Sequence, residues 1–473
     1  VRVLDGVLGE PDDEELEGLR RAPAGVRLAC RARVVAPVTV RPLVSHPRAN
    51  VEPAARMKGR LVAGVDLGTT SVAAAVVDAE SGRELGRASV PNRQQSWGAD
   101  VLSRISAALS GAGEELRAAA EQSVAEALNY ACDAAGAELA SIERVVIAGN
   151  SAMAGLLAGV DMTPLSAHPF AAPYEGGEYT AGQDLAAPLP AARIRIMPPV
   201  GAFVGGDAVA AALGCGLLDA RRPALLVDIG TNAEIVLATA EGVFAASAAA
   251  GPAFEGVGVT CGGPAAPGAV ERVQIAGGDL VLAVLGGEKP GWFSGSGLVS
   301  ALAALRRSEA LARDGALMEG GILESRMSLD GAGVRLLDFG ASGTDGCLAL
   351  SQLDVRSLQL AKGAVRAGVE AVLEAGGVRS AELASVQVAG AFGSALAVRD
   401  LVELGILPAD CSDVVEAVGN AALAGAVLVA MGEDGVEAGL EQVRSARVID
   451  LAADPGFNDR LMKALAFEEY RVG

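Results

Sequence analysis

Histidine and lysine are nearly missing from this chain of 473 residues, and aromatic residues make up only 3% of it. The two histidines, His46 and His168, each precede a proline in loop-like sequence, which argues against a Ser-His-Asp triad or a His-rich metal site. None of the lysines, Lys58, Lys289, Lys362 and Lys463, follows a glycine, so a GxxxxGK phosphate loop is excluded. The six cysteines, Cys30, Cys132, Cys215, Cys261, Cys347 and Cys411, include no CxxC pair and no disulfide-scaffold spacing. A reducing, cytoplasmic setting is the expectation. Basic tracts are also absent, and the net charge of -20 repels phosphate backbones and anionic lipid, which argues against nucleic acid or a membrane surface as partner. Long apolar runs are lacking too. The longest nearly uncharged runs, such as Ala417 to Gly432, are shorter than the roughly 18 residues a spanning helix needs, and glycines and Asn420 interrupt that run. The opening Val1-Arg2-Val3-Leu4-Asp5-Gly6, followed by the acidic run Asp12 to Glu15, lacks the basic start and apolar core of an export signal. A start at valine is read as a domain truncated at its N-terminal side.

What is present is small and apolar. Residues of the AVILMFWYC set make up 51% of the chain, with abundant Gly, Ala and Val, which suits tightly packed α/β layers. The length calls for two or three domains. Residues 1–41 are short apolar runs ending in an alternating, strand-like stretch from Arg31 to Arg41, too small to fold alone. Pro42 to Arg60 carries Pro42, Pro47 and Pro53 among polar residues and reads as a linker over 42–60. From Leu61 an apolar run to Asp66, a Gly-Thr-Thr turn and two further apolar runs predict a three-strand meander. The design recurs from Ala224 to Asp228, through a Gly-Thr-Asn turn, to Val243–Ser247, so the two halves read as duplicates, 61–205 and 206–473. In the first, helix-forming sequence from Gly98 to Gly136 leads to a strand over Arg144–Ala148. In the second, a helix over Val355–Ala375 leads to a strand over Ser385–Val388.

A phosphate held between two sheets needs backbone N–H donors at tight turns, hydroxyls, and a carboxylate to hold metal-bound water. Asp66-Leu67-Gly68-Thr69-Thr70-Ser71 supplies all three, and Asp228-Ile229-Gly230-Thr231-Asn232 supplies them again, with Glu234 as a further carboxylate. One Asp-x-Gly-Thr is a common hairpin turn. Two copies in a duplicated layout point to a site. Val388-Ala389-Gly390-Ala391-Phe392-Gly393-Ser394 ends an apolar strand in a Gly-rich turn where a flat adenine and ribose can approach the backbone. Asn150, after the matching strand of the first half, reads as a helix cap.

In this order, Asp66–Ser71, Asp228–Asn232 and Val388–Ser394 resemble the phosphate-1, phosphate-2 and adenosine motifs of the actin, Hsp70 and sugar-kinase superfamily. Within it the chain resembles the reductive activators of corrinoid proteins. The supporting stretches include Phe203-Val204-Gly205-Gly206-Asp207, Ala249-Ala250-Gly251-Pro252-Ala253-Phe254-Glu255-Gly256 and Gly419-Asn420-Ala421-Ala422, and together they cover nearly everything from Leu61 onward. The resemblance implies duplicated actin-like (ribonuclease H-like) α/β domains with mixed sheets. It also implies ATP and Mg2+ between the halves, and hydrolysis coupled to reduction of Co(II) corrinoid to Co(I). Asp66 and Asp228, with Glu234, would organise metal-bound and attacking water; Gly68, Thr69, Thr70, Gly230, Thr231 and Asn232 would hold phosphate; Gly390 and Gly393 would flank the nucleoside. By the same resemblance residues 1–41 end a 2Fe-2S ferredoxin-type, β-grasp domain, with Cys30 in Val26–Val34 as fourth cluster ligand and three cysteines expected before Val1. The expected partner is a corrinoid iron-sulfur protein or corrinoid methyltransferase protein, and a homodimer is the family expectation. The alternatives are a small-molecule kinase or an ATP-switch protein of the same superfamily.

Overall fold

The computed structural model describes residues 2–5, 39–41 and 60–467, except 99, 181–192, 220–221, 277–278, 288, 320–321, 344–345, 391–396 and 433–434. Strands β1 (Arg2–Asp5) and β2 (Thr39–Arg41) pair antiparallel. Cys30 and the linker expected over 42–60, apart from Arg60, lie outside the described residues.

The meander expected from Leu61 forms as β3 (Leu61–Leu67), β4 (Ser71–Asp78) and β5 (Glu84–Pro91), paired antiparallel in sequence order. Strand β6 (Ile142–Gly149) joins β3 in parallel, β7 (Gly177–Thr180) closes the far edge, and β8 (Arg193–Ile196) lies between β6 and β7. The sheet order is therefore β5-β4-β3-β6-β8-β7. A second meander, β9 (Ala224–Ile229), β10 (Ala233–Thr239) and β11 (Gly242–Ala248), repeats the pattern. Two three-stranded sheets that the sequence reading did not anticipate follow: β12 (Ala269–Ala276) with β13 (Asp279–Val284) and β14 (Trp292–Phe293), then β15 (Met327–Leu329) with β16 (Arg335–Gly343) and β17 (Gly346–Ser351). The chain then returns to the second sheet as β18 (Ser385–Ala389), parallel to β9, with β19 (Val415–Gly419) beyond it and β20 (Arg447–Val448) on the opposite edge. Its order, β19-β18-β9-β10-β11-β20, matches the first through five strands. The duplication is therefore topological as well as sequential. Strands β3 and β9 read as nearly unbroken apolar runs because both faces of each sheet are covered.

The helix expected across 98–136 is broken. Val101–Ala107 ends in a distorted turn at Gly111, with φ 106°, before α1 (Gly113–Ala135) resumes and stops at the left-handed Gly136. Helix α1 and α2 (Ser151–Ala158) bury one face of the first sheet, where Leu116, Val124 and Leu128 pack on Val65, Val72 and Val76. Helix α3 (Gly206–Gly214) follows. In the second half α4 (Gly295–Arg307) packs on β12, and α5 (Gln352–Ala375, started by a Ser351/Asp354 capping box) covers the corresponding face, with Val365, Val369 and Val372 against Ile235 and Leu237. The remaining faces of both sheets meet in a shared core with α3 and α6 (Ala421–Met431). This core joins Val62, Val146, Leu226 and Val236 to alanines of the two helices. The uncharged run of 417–432 is thus an element apolar on all sides because it is enclosed between two sheets. No helix among the described residues is long and apolar enough to cross a membrane.

Candidate nucleotide site

Asp66 and Asp228 are the penultimate residues of β3 and β9, and the two Gly-Thr turns that follow them face one another across the junction of the sheets. They line a cavity of about 500 Å3, within the range of pockets that enclose a small ligand. Of the residues expected at the site, Asp66, Gly68, Thr69, Thr70, Asp228, Gly230, Thr231, Asn232, Glu234 and Gly390 all line this one cavity. Gly393 lies outside the described residues. Residues that sequence reasoning did not assign to the site join them, among them Arg87, Asn150, Asp207, Glu255 and Asn420.

The first loop is held from outside. The Asn92 side chain donates to the Gly68 carbonyl (2.8 Å), and the Gln95 amide and the Asn92 backbone N–H both donate to that of Thr70 (2.6 and 3.0 Å). Asn150 caps α2 by accepting from the Met153 N–H and turns its amide to the Thr69 hydroxyl at 3.1 Å. Asn420 does the equivalent from α6, accepting from Leu423 and donating to Asp66 Oδ2 at 2.8 Å. Both asparagines end a strand and start an apolar helix; the sequence marked only Asn150 as a cap. Gly68 and Gly230 do not turn through positive φ, but a Cβ on Gly68 would fall 2.8 Å from the Ser71 carbonyl, so the tight reversal between β3 and β4 leaves no room for a side chain there. Gly390 does, at 117°, and a Cβ there would collide with the Ile229 carbonyl and press on Asp228 Oδ1.

The electrostatics are one-sided. Five acids, Asp66, Asp207, Asp228, Glu234 and Glu255, line the cavity against one cation, Arg87, which pairs with Glu84 at 2.7 Å. Glu234 stands directly opposite Asp228 on the antiparallel β9–β10 ladder, an arrangement that repels when both are ionised. In the first half the equivalent partner of Asp66 is Ala73, so the duplication is chemically asymmetric. Desolvation, only partly offset by the Asn420 hydrogen bond, pushes Asp66 up to about 6. Desolvation and the neighbouring charges of Asp207 and Asp66 push Asp228 up to about 8. Burial raises Asp207 and Glu234 as well, with their acidic neighbours adding to it.

Raised carboxyl values mean that the folded chain holds protons the unfolded chain has already released. Its stability therefore falls as pH rises from the unfolded values, about 4, through the folded ones. The melting temperature of the nucleotide-free protein is expected to decline between about pH 5 and about pH 8.5, and Asp228→Asn to flatten that decline. Thermal scans across that range test it; an equal slope in the variant would contradict the placement of Asp228.

Among the described residues no three His, Cys, Asp or Glu side chains are grouped to hold a metal ion by themselves. The acids accordingly fit a magnesium ion that would keep its waters and take further contacts from phosphate, Asp66 and Asp228 being placed where they could accept from those waters. The same observation leaves no iron-sulfur ligand set among the described residues, and Cys30 lies outside them. Of the other cysteines, read as buried thiols, Cys132 and Cys411 are buried while Cys215 and Cys261 are only half-buried. His168 is exposed, as a loop residue should be.

Two ribonuclease H-like sheets closing on a cleft with a phosphate-type loop from each half define an actin-like nucleotide-binding protein. Residues 222–472 match the family described as the C-terminal domain of RACo, the ASKHA domain, and residues 61–220 match the RACo middle region. The chain belongs to the RACo family. It is 33% identical over 417 residues to the corrinoid activation enzyme RamQ of Eubacterium limosum, covering 85% of this chain and 69% of that protein. It is 26% identical over 401 residues to the [Co(II) methylated amine-specific corrinoid protein] reductase of Methanosarcina barkeri, covering 76% of this chain and 68% of the other. The solved structure of a reductive activator for corrinoid, iron-sulfur protein superposes with a TM-score of 0.79 at 28% identity, over 87% of this chain and 67% of that one.

Proposed function

We propose that the protein is an ATP-dependent reductive activator of corrinoid proteins, returning an inactive Co(II) corrinoid to Co(I). One observation carries the reading: in a chain of the RACo family, a phosphate-type loop from each half faces a shared, acid-lined cavity beneath Gly390. We assign residues 61–205 and 206–473 as the two actin-like halves, 42–60 as linker, and 1–41 as the end of a 2Fe-2S ferredoxin-type domain in which Cys30 is a cluster ligand. The working compartment in this reading is the cytoplasm.

In the site, the hydroxyls of Thr69, Thr70 and Thr231 and the Asn232 amide bind phosphate oxygens, and Gly68 and Gly230 leave room for them. Gly390 and Gly393 flank the nucleoside. Asp228, on the ladder beside Glu234, orients the attacking water and accepts its proton as the phosphoryl group leaves. Asp66, held by Asn420, accepts from metal-bound water. Magnesium, when bound with the nucleotide, neutralises phosphate charge. Reduction to Co(I) is uphill for an ordinary donor, each ~59 mV of a one-electron gap being about a tenfold equilibrium factor. Hydrolysis must therefore change a conformation or an affinity, and the core of α3 and α6, shared by both sheets, is where the halves can shift.

Because five acids line the cavity against one paired arginine, polyphosphate should not enter without a divalent cation. Calorimetry is expected to show ATP binding with Mg2+ and none with EDTA, and steady-state ATP hydrolysis should rise when a Co(II) corrinoid protein is added. Consumption of ATP that depends instead on a small alcohol or carboxylate would identify a kinase.

A further inference from the structure

Glu255 stands apart from the other four acids because its carboxylate is already engaged by the groups meant for phosphate. It accepts from the Thr70 hydroxyl at 2.6 Å and from the Thr231 hydroxyl at 2.6 Å, one oxygen to each. These two threonines belong to the two phosphate-type loops, one from each half of the molecule, and all three residues line the same cavity. A carboxylate bridging two hydroxyl donors is the contact a terminal phosphoryl group would make with them, in shape and in charge.

We propose that Glu255 is a latch that closes the nucleotide-free cleft: it ties the two loops together as an internal stand-in for phosphate, and the incoming terminal phosphate displaces it. The inference rests on the reading of the cleft as an ATP site. Glu255 cannot share its two donors with a phosphate without placing two anions against each other, so occupation of the cleft and the bridge exclude one another. The backbone that carries it is anchored, with Ala253 and Phe254 buried, so release is a swing of the half-exposed side chain. The bridge spans the halves. Its exchange for phosphate therefore converts nucleotide binding into a change in what joins them.

The movement has a built-in reporter. Gly256, the next residue, packs on Gly263, and Gly263 packs on the indole of Trp292, one of the two tryptophans in the chain, the other being Trp97. The test is Mg-ATP binding by calorimetry to the whole protein and to Glu255→Gln and Glu255→Ala, paired with Trp292 fluorescence in a Trp97→Phe background. The latch predicts that Glu255→Ala binds Mg-ATP at least about fivefold more tightly, with Glu255→Gln between it and the parent. It also predicts that the variants show, without nucleotide, the fluorescence that the parent reaches only with it. Binding that is unchanged or weaker in both variants while the parent binds ATP would overturn the latch and leave the nucleotide reading standing. A parent that does not bind Mg-ATP would overturn both.

Discussion

Replacing Asp228 by alanine is expected to lower ATP turnover by about two to three orders of magnitude while the melting temperature holds or rises. Asp228 lies at the end of a central strand, opposite Glu234 and under Gly390, where a carboxylate is held at a cost to the fold. Folding does not need it, since burial and the neighbouring acids raise it to about 8 and its charge only adds repulsion. This is the signature of a residue kept for chemistry rather than stability. Steady-state hydrolysis and thermal melts on the same preparation separate the two effects. A variant that stays active shows that another group orients the water, and one that melts well below the parent shows that the carboxylate is structural.

The second large effect is expected far from the chemistry, where α3 crosses α6. A Cβ on Gly425 would fall on the Ala210 carbonyl, and one on Gly214 would fall on the Ala421 carbonyl. The two helices therefore touch backbone to backbone. Gly425→Ala forces them apart, and overpacking of this kind costs about 1–3 kcal/mol. A melting temperature lower by roughly 2–4 °C per kcal/mol should follow. Because this pair fills the core shared by both sheets, the loops carrying Asp66 and Asp228 should also lose register, and hydrolysis should fall more than stability alone explains. A variant with parental melting temperature and turnover would mean that the crossing is looser than this packing requires.

How much of this could be read from the sequence depends on how local each feature is. Asp66 and Asp228 were visible because each sits in an apolar strand followed at once by a Gly-Thr turn, and Glu234 because it lies on the next strand. The repeated meander, and hence the duplicated sheets, followed from the same short-range pattern. Asn420 was not assigned, although it bonds Asp66, because 354 positions separate the two and only the fold joins them. Asp207 and Glu255 were quoted as parts of resembling stretches without a role. Their place in the cavity comes from the start of α3, whose first turn carries Asp207, and from the short turn of Pro252–Glu255, which no periodicity announces. The two small sheets of 269–351 escaped for a different reason. The alternating Ala269–Ala276 and the apolar Leu280–Val284 across Gly277-Gly278 carry a hairpin signal, but they stand outside the repeated meander on which the reading was built.

The central claim, that nucleotide turnover in this cleft drives corrinoid reduction, is tested most directly by following cobalt. A Co(II) corrinoid protein, an electron donor and the purified protein would be mixed without oxygen, and the Co(I) absorbance recorded after adding Mg-ATP, Mg-ADP or a non-hydrolysable analogue. The account predicts that Co(I) accumulates with Mg-ATP and not with the other two, and that Asp228→Ala abolishes the ATP response. Equal Co(I) with and without Mg-ATP would contradict it.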